Sequence, residues 1–407
     1  MKKFYFLEYF YIVLESIRKQ PDFRQAFEHF KSLKHQYRLG ESKYKKLSDT
    51  AEPTAKALLR YDYTFRQVIA ELVDYKLLEE SAPDAYRLTK TGHSLLDVYS
   101  ALDPTKFNTK LFHLMESQHG AFRFLVDFAY RKNPSRQGLL VFPNYSPRLL
   151  QCDIRTSGDL RAYMDALASR LNQDLIDHDC GSVDSTVLTA DLACKLQEGG
   201  LMSPDLSTPF DGEKFDKIIK RIRDFWTKTL LEHYGYPESP SSFEIWTYRA
   251  KRIGILHVTE IFPSFHGRIV YPTSILATKT RSRDFNPICD YSDGKRLYLH
   301  VPQWGLLRDR FVRAIHHAYM RLRKTYHNYY VNIAALREYV CFELRISEAT
   351  FGHFLGEAYR LNLAKGLKIR ISLEVDKLPE ETNLTYLKRE PVLVDGRYRN
   401  IIAIDMA

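Results

Sequence analysis

The residue types able to do chemistry in this chain are few and scattered. Asp177-His178-Asp179-Cys180 offers metal-compatible side chains, but four consecutive residues cannot converge on one ion without a special turn, and a polar loop ahead of Gly181 is the simpler reading. Asp290, Asp293 and Lys295 are the residue types of a metal-dependent nuclease centre, yet Asp293-Gly294 between strand-like runs is the chemistry of a hairpin tip. His316-His317 and His327 lie in one basic stretch, and His317 and His327 cannot meet on one helical face to share an ion. No GxxxxGK[ST] loop, HExxH helix or GxGxxG turn is present, so neither an enzyme nor a cofactor is expected. What remains is electrostatics. Residues 241–324 carry a net charge of +9 against +10 for the whole chain, and the flanking stretches nearly balance. A patch of that kind attracts polyanions.

The elements that must position these cations repeat along the chain. Thr64-Phe65, Ser242-Phe243 and Thr350-Phe351 are each followed, after nine residues, by an apolar pair straddling one residue: Tyr75-Lys76-Leu77, Ile253-Gly254-Ile255 and Leu361-Asn362-Leu363. Val68, Trp246 and Phe354 line up between them, as do Leu72, Ala250 and Ala358. Counted from the hydroxyl residue, the apolar positions fall at 1, 4, 8 and 11, one face of an α-helix. Gly and Asn at the straddled position tolerate the left-handed turn that ends a helix, and a β-branched and aromatic run follows each copy. Each unit therefore reads as helix, stop, strand.

The first copy continues as Tyr86-Arg87-Leu88-Thr89-Lys90-Thr91-Gly92-His93-Ser94-Leu95-Leu96. This resembles the Y-x-L-T-x-x-G-x-x-L second wing strand and following helix of MarR- and PadR-type winged helix-turn-helix proteins. The resemblance covers residues 54–100 and 240–276 and extends to 335–375, about half the chain. It implies an α+β, mainly helical protein with two to three winged-helix domains joined by a helical middle segment, and contact with double-stranded DNA. On the second recognition helix the outward positions include Tyr248, Lys251 and Arg252, with Arg249 at the margin and Ser242 near the N-terminal end, where amides and hydroxyls bind phosphate. Its wing turns at Pro263 to Gly267 and carries His266 and Arg268, and Lys279, Arg281 and Arg283 follow. The long basic helix expected at 306–327 adds Arg310 and Arg313, and the first unit adds Arg66, Gln67 and Arg87. The acidic residues around that first unit, Glu71, Asp74, Glu79, Glu80 and Asp84, suit protein contact better than DNA. For the third unit the outward set is His353, Tyr359 and Arg360, with Gly352 and Gly356 permitting close helix packing.

Four segments are expected: a first winged-helix domain at 1–105, a helical connecting region at 106–212, a second, basic winged-helix domain at 213–300, and a long basic helix with a divergent third unit at 301–407. Pro53 onward supplies a positioning helix at 52–60, and helices are expected at 107–132, 156–177 and 190–197. No stretch reaches 18 uninterrupted apolar residues, so no membrane span is expected. Five widely spaced cysteines without a CxxC pair fit a reduced, cytoplasmic protein. The expectation is a non-catalytic double-stranded DNA-binding protein, with protein partners or a homo-oligomer, serving a larger nucleic-acid complex of defence or mobile-element type. The alternatives are a transcription regulator with a ligand-sensing middle segment, a structural subunit that docks proteins on its winged helices, and a divergent metal-dependent nuclease.

Overall fold

A computed structural model describes residues 6–37, 53–99, 105–132, 140–143, 153–177, 180–259, 267–273, 275–278, 286–290, 296–299, 302–375 and 391–406. The chain is mainly helical, with small antiparallel sheets. It begins with helices α1 (Glu8–Lys19), α2 (Phe23–Gln36) and α3 (Ala55–Asp74), a ribbon of β1 (Leu78–Ala82) and β2 (Ala85–Leu88), and α4 (Lys90–Leu96). The separate positioning helix expected at 52–60 does not form. Thr54 caps the backbone N–H of Ala57, and nothing between Ala55 and Asp74 breaks the hydrogen-bond ladder, so one helix runs through. The middle contains α5 (Thr105–Gln118), α6 (Gly120–Lys132), β3 (Leu140–Pro143), α7 (Ser157–Asp177) and α8 (Ser185–Glu198). Asp184 starts α8 five residues earlier than expected by accepting from the N–H groups of Thr186 and Val187. Then come α9 (Phe215–His233), α10 (Pro240–Ile253), β4 (Leu256–Thr259) and β5 (Gly267–Pro272). The strands β6 (Ile275–Thr278), β7 (Asn286–Asp290) and β8 (Arg296–Leu299) make a sheet of their own, and β7 and β8 flank the expected Asp293-Gly294 tip.

The last third is α11 (Trp304–Tyr326), β9 (Val331–Asn332), α12 (Ile333–Leu344), α13 (Glu348–Leu363), β10 (Ile369–Glu374), a hairpin of β11 (Val392–Val394) and β12 (Arg397–Arg399), and β13 (Ile401–Met406). β13 lies between β10 and β9 in a three-stranded sheet, all pairs antiparallel. The order is helix, short strand, helix, helix, strand, hairpin, strand, with the hairpin at the expected Asp395-Gly396 turn.

The three aligned helices bury the aligned positions: Phe65, Val68 and Leu72; Phe243, Trp246 and Ala250; Phe351, Phe354 and Ala358. Each helix ends in the same way. Lys76, Gly254 and Lys365 take left-handed φ of 56°, 92° and 56°. The next residue's N–H then reaches back five positions, Leu77 to Leu72, Ile255 to Ala250 and Gly366 to Leu361, which satisfies carbonyls the helix leaves open. The third stop falls three residues later than expected. Asn362 stays helical because its side chain pairs with both backbone groups of Ile371 on β10, at 2.9 and 3.1 Å, and Leu363 is left 63% exposed instead of buried.

The Tyr86–Leu96 stretch of the first unit acquires a physical cause. Leu88 pairs with Leu78, the Thr89 hydroxyl accepts from Gly92 N–H and donates to Lys76 O, and Leu95 is buried. A Cβ on Gly92 would collide with the Leu77 carbonyl oxygen, a backbone atom that cannot swing away. Gly92→Ala is therefore expected to cost about 2 kcal/mol, as overpacking against backbone does, and chemical denaturation is the measurement that checks it.

Apolar side chains from Leu7 to Tyr271 form one cluster, and those from Phe311 to Ile404 form a second. The expected divisions at 105/106 and 212/213 fall inside the first. Part of the reason is β3, whose backbone joins β5 and makes the second unit's ribbon a three-stranded sheet with middle-segment chain at its edge. No helix among the described residues is long and apolar enough to cross a membrane.

Candidate nucleic-acid interface

Helix α10 was expected to present its cations outward, and it does not. Ser241 is its one exposed residue. The Arg249 guanidinium, 2% exposed, forms a two-pronged pair with Glu71 of α3, Nη1 to Oε1 at 2.5 Å and Nη2 to Oε2 at 2.9 Å, and lies 4.9 Å from the Trp246 ring. Tyr75 donates its phenol to the same carboxylate at 3.1 Å; burial, reinforced by Glu71, holds that phenol far above its ordinary pKa. Arg252 pairs with Glu8 of α1, and Lys251 Nζ lies 2.8 Å from Glu348 of α13. Tyr248 packs edge-on against Phe6, and Ser242 exchanges a hydrogen bond with the Tyr236 phenol at 2.9 Å. The physical reason is neighbours on every side: α1, α3, α5 and α6 on one flank and α12 and α13 on the other. These cations satisfy carboxylates brought in from other parts of the chain.

Between the two apolar clusters lies a buried polar network. His257 on β4 faces Glu338 on α12, Nε2 to Oε2 at 3.0 Å, and Glu348 Oε1 stands 2.8 Å from Lys251 Nζ and 3.3 Å from Arg337 Nε. Ligand atoms of His257, Glu338 and Glu348 all come within 4.8 Å of one another, the spacing of a metal site. Two cations already occupy the positions where a metal would offset the carboxylates. The arrangement is an ion-paired joint between the two clusters, closed on one side by Arg345 stacked near the Tyr271 and Phe342 rings. Burial alone would raise both carboxyls. For Glu348 the charges of Arg337 and Lys251 outweigh it and hold the group well below the usual range; for Glu338 it is His257 and Lys251.

Because these folded-state values are depressed, the stability they add is present above the unfolded carboxylate value of about 4.3 and is lost as pH falls below it toward the folded values. Glu348→Gln keeps the shape but removes the charge. It is expected to cost about 2 kcal/mol at pH 7, the scale of a charge-assisted bond, and to flatten the fall of Tm between pH 5 and 3. Thermal scans of both proteins across that range are the check.

The cations that do face solvent are on α11. Its inner face buries Phe311, Ala314, Ile315, Ala318, Tyr319 and Leu322. Its outer face is exposed at Arg310, Arg313, His317, Arg321 and Lys324, a spacing of three and four residues that keeps one line along the helix. That line is about 21 Å long at 1.5 Å per residue. Arg308 is taken by Asp309 at 2.9 Å, but among the described residues no carboxylate stands within 4 Å of Arg310, Arg313, Arg323 or Lys324. Arg321 lies 5.3 Å from the centre of the Tyr339 ring and Arg323 lies 5.4 Å from that of Tyr329. Beside the C-terminal half of the line a cleft of about 1080 Å³ opens between α11, α12 and residues 327–329.

Of the remaining expected contacts, His266, Lys279, Arg281 and Arg283 lie outside the described residues, as do His178, Asp179, Asp293 and Lys295. Arg268 is placed by its backbone alone, on β5 opposite Phe142. Arg66 and Arg87 are exposed, but each serves its own unit: Arg66 bonds Asp62 at 3.1 Å and covers the Phe23 ring, and Arg87 bonds Glu79 at 2.8 Å. Gln67 is half-buried. On α13, Arg360 is held by Glu357 and by Asp395 in the β11–β12 hairpin, and a Cβ on Gly352 would stand 3.4 Å from Val392 of that hairpin. The α11 line was partly legible in the sequence: Arg310 and Arg313 were expected contacts, and His317, Arg321 and Lys324 continue them at helical spacing. Compared with known proteins, the chain matches no family model, no curated protein and no solved structure.

Proposed function

We propose that this chain is a non-catalytic protein of winged-helix type that binds double-stranded DNA, with the outer face of α11 as its principal contact. The observation that carries the reading is the line of exposed cations at Arg310, Arg313, His317, Arg321 and Lys324, on a helix whose other face is anchored in a core. Cations on a rigid element meet phosphates without the entropy cost of ordering a loop. The winged-helix assignment is supported by three helix, left-handed stop, strand units and by the strand order of the last third. Helix α10, which the family resemblance would place in a major groove, acts in this reading as the internal strut that joins the units.

The test is fluorescence anisotropy on a labelled duplex across a salt series, with Mg²⁺ and Mn²⁺ controls for cleavage. Binding should weaken with a log–log slope of about −0.9 for every phosphate neutralised, and the DNA should stay intact. Binding that does not change with salt would count against the DNA reading and favour a surface for protein docking.

A further inference from the structure

The cleft at the C-terminal half of α11 differs in chemistry from the cationic line that leads to it. Arg321, Arg323 and Lys324 line it together with His317 and His327, against the single carboxylate of Glu343. Its remaining wall holds three rings, Tyr339 and Phe342 from α12 and Tyr329, 41% exposed, from the turn before β9, beside Ala318, Met320 and Asn328. The turn is fixed: His327 takes a left-handed φ of 51°, the Tyr319 phenol donates to Tyr329 O at 2.8 Å, and the Tyr329 phenol bonds Asp405. A volume of about 1080 Å³ is slightly above the roughly 300–1,000 Å³ of ligand sites. Rings and guanidinium groups side by side match a ligand that alternates flat π-faces with negative charge.

Resting on the reading of α11 as a DNA-binding face, we infer that this cleft holds unpaired nucleotides of a DNA strand whose duplex part lies along Arg310 and Arg313. Phosphates would meet Arg323 and Lys324, and bases would stack against the aromatic wall. A base inside a duplex shows only its edges, so a wall of rings selects bases that have left the stack. A polymer fits better than a free nucleotide because His317, inside the cleft, is one helical turn from Arg313 on the outer line.

The experiment compares a blunt duplex with the same duplex carrying a tail of unpaired thymidines on its 3′ or 5′ end, by anisotropy at one salt concentration. For the wild-type protein one tail should tighten binding about tenfold. Tyr339→Leu should remove that gain and leave the affinity for the blunt duplex unchanged, while Tyr339→Phe keeps it. Arg323→Gln, an exposed position that cannot unfold the chain by emptying its core, should cut the gain by about threefold. A wild-type protein that binds both DNAs equally, or a tail preference that survives Tyr339→Leu and Arg323→Gln, would overturn the cleft while leaving duplex binding standing. Binding to neither DNA would remove both.

Discussion

Replacing Arg249 by alanine is expected to destabilise the protein by about 3–5 kcal/mol, the usual cost of removing one partner of a buried pair. The guanidinium is 2% exposed and makes both bonds to the Glu71 carboxylate, whose own side chain is 18% exposed and also accepts from Tyr75. Truncation would leave that carboxylate facing Phe10, Trp246 and Tyr75 with no cation, and would remove a packed side chain from the place where α3 and α10 meet. At roughly 2–4 °C of Tm per kcal/mol for a cooperative unit of this size, a loss of about 10 °C follows. The double variant Arg249→Met with Glu71→Leu, which replaces the pair by apolar side chains of similar bulk, should recover most of the loss, because no buried charge is then left alone. Duplex affinity and salt slope of that double variant should match wild type. A folded double variant that has lost DNA binding would return Arg249 to the phosphate contact first expected of it.

What the sequence could and could not reveal is visible on this helix. Positions 1, 4, 8 and 11 of each repeat marked one buried face, and Phe243, Trp246, Ala250 and Ile253 are buried as that pattern requires. Periodicity reports only that a face is apolar. The opposite face of α10 is covered by polar partners, and nothing in a helical period distinguishes a cation meeting water from a cation meeting a carboxylate. Those carboxylates are far off in the chain: Glu71 is 178 positions from Arg249, and Glu8 is 244 from Arg252. A charge summed over residues 241–324 counted Arg249, Lys251 and Arg252 but not Glu8, Glu71 and Glu348, which neutralise them from outside the window. The same blindness concealed the acidic joint: His257, Glu338 and Glu348 share no motif, and only the docking of α12 and α13 on β4 brings them together.

Local rules did better where the cause is local. Ser347 caps α13 as its position before the helix implies, accepting from Thr350 N–H, and Asp395-Gly396 forms the tip of a hairpin with positive φ at both residues. Asn362 is not the helix stop its type suggests, because a residue that tolerates the left-handed turn can instead bond a neighbouring strand through its amide, and here it holds β10. In the third unit, β13 arrives from beyond a long connection to complete the sheet. A pairing between residues 369–374 and 401–406 leaves no short-range trace in the sequence.

Reversing Arg310 and Arg313 together to glutamate should weaken duplex binding about a hundredfold and leave the fold intact. Two charge-assisted contacts at about 1.5 kcal/mol each account for that factor before any repulsion from the new carboxylates. Both side chains are exposed, neither has a carboxylate within 4 Å among the described residues, and the helix beneath them is held by Phe311, Ala314 and Ile315 on its far side. Thermal stability should therefore be within a degree or two of wild type, since exposed substitutions of this kind change stability by about half a kcal/mol or less. The salt slope should become shallower by about 1.8, at 0.9 for each phosphate no longer neutralised. Slope and affinity must move together. A drop in affinity with an unchanged slope would mean the two arginines act through shape and not through phosphates. The direct contest is with the same reversal at Lys56 and Arg60 on α3, cations that are also exposed but lie on the first unit. That control should keep wild-type affinity and slope. Should it lose as much as the α11 variant, binding would be a diffuse attraction to a basic protein; should it lose more, the first unit would be the contact and α11 a bystander.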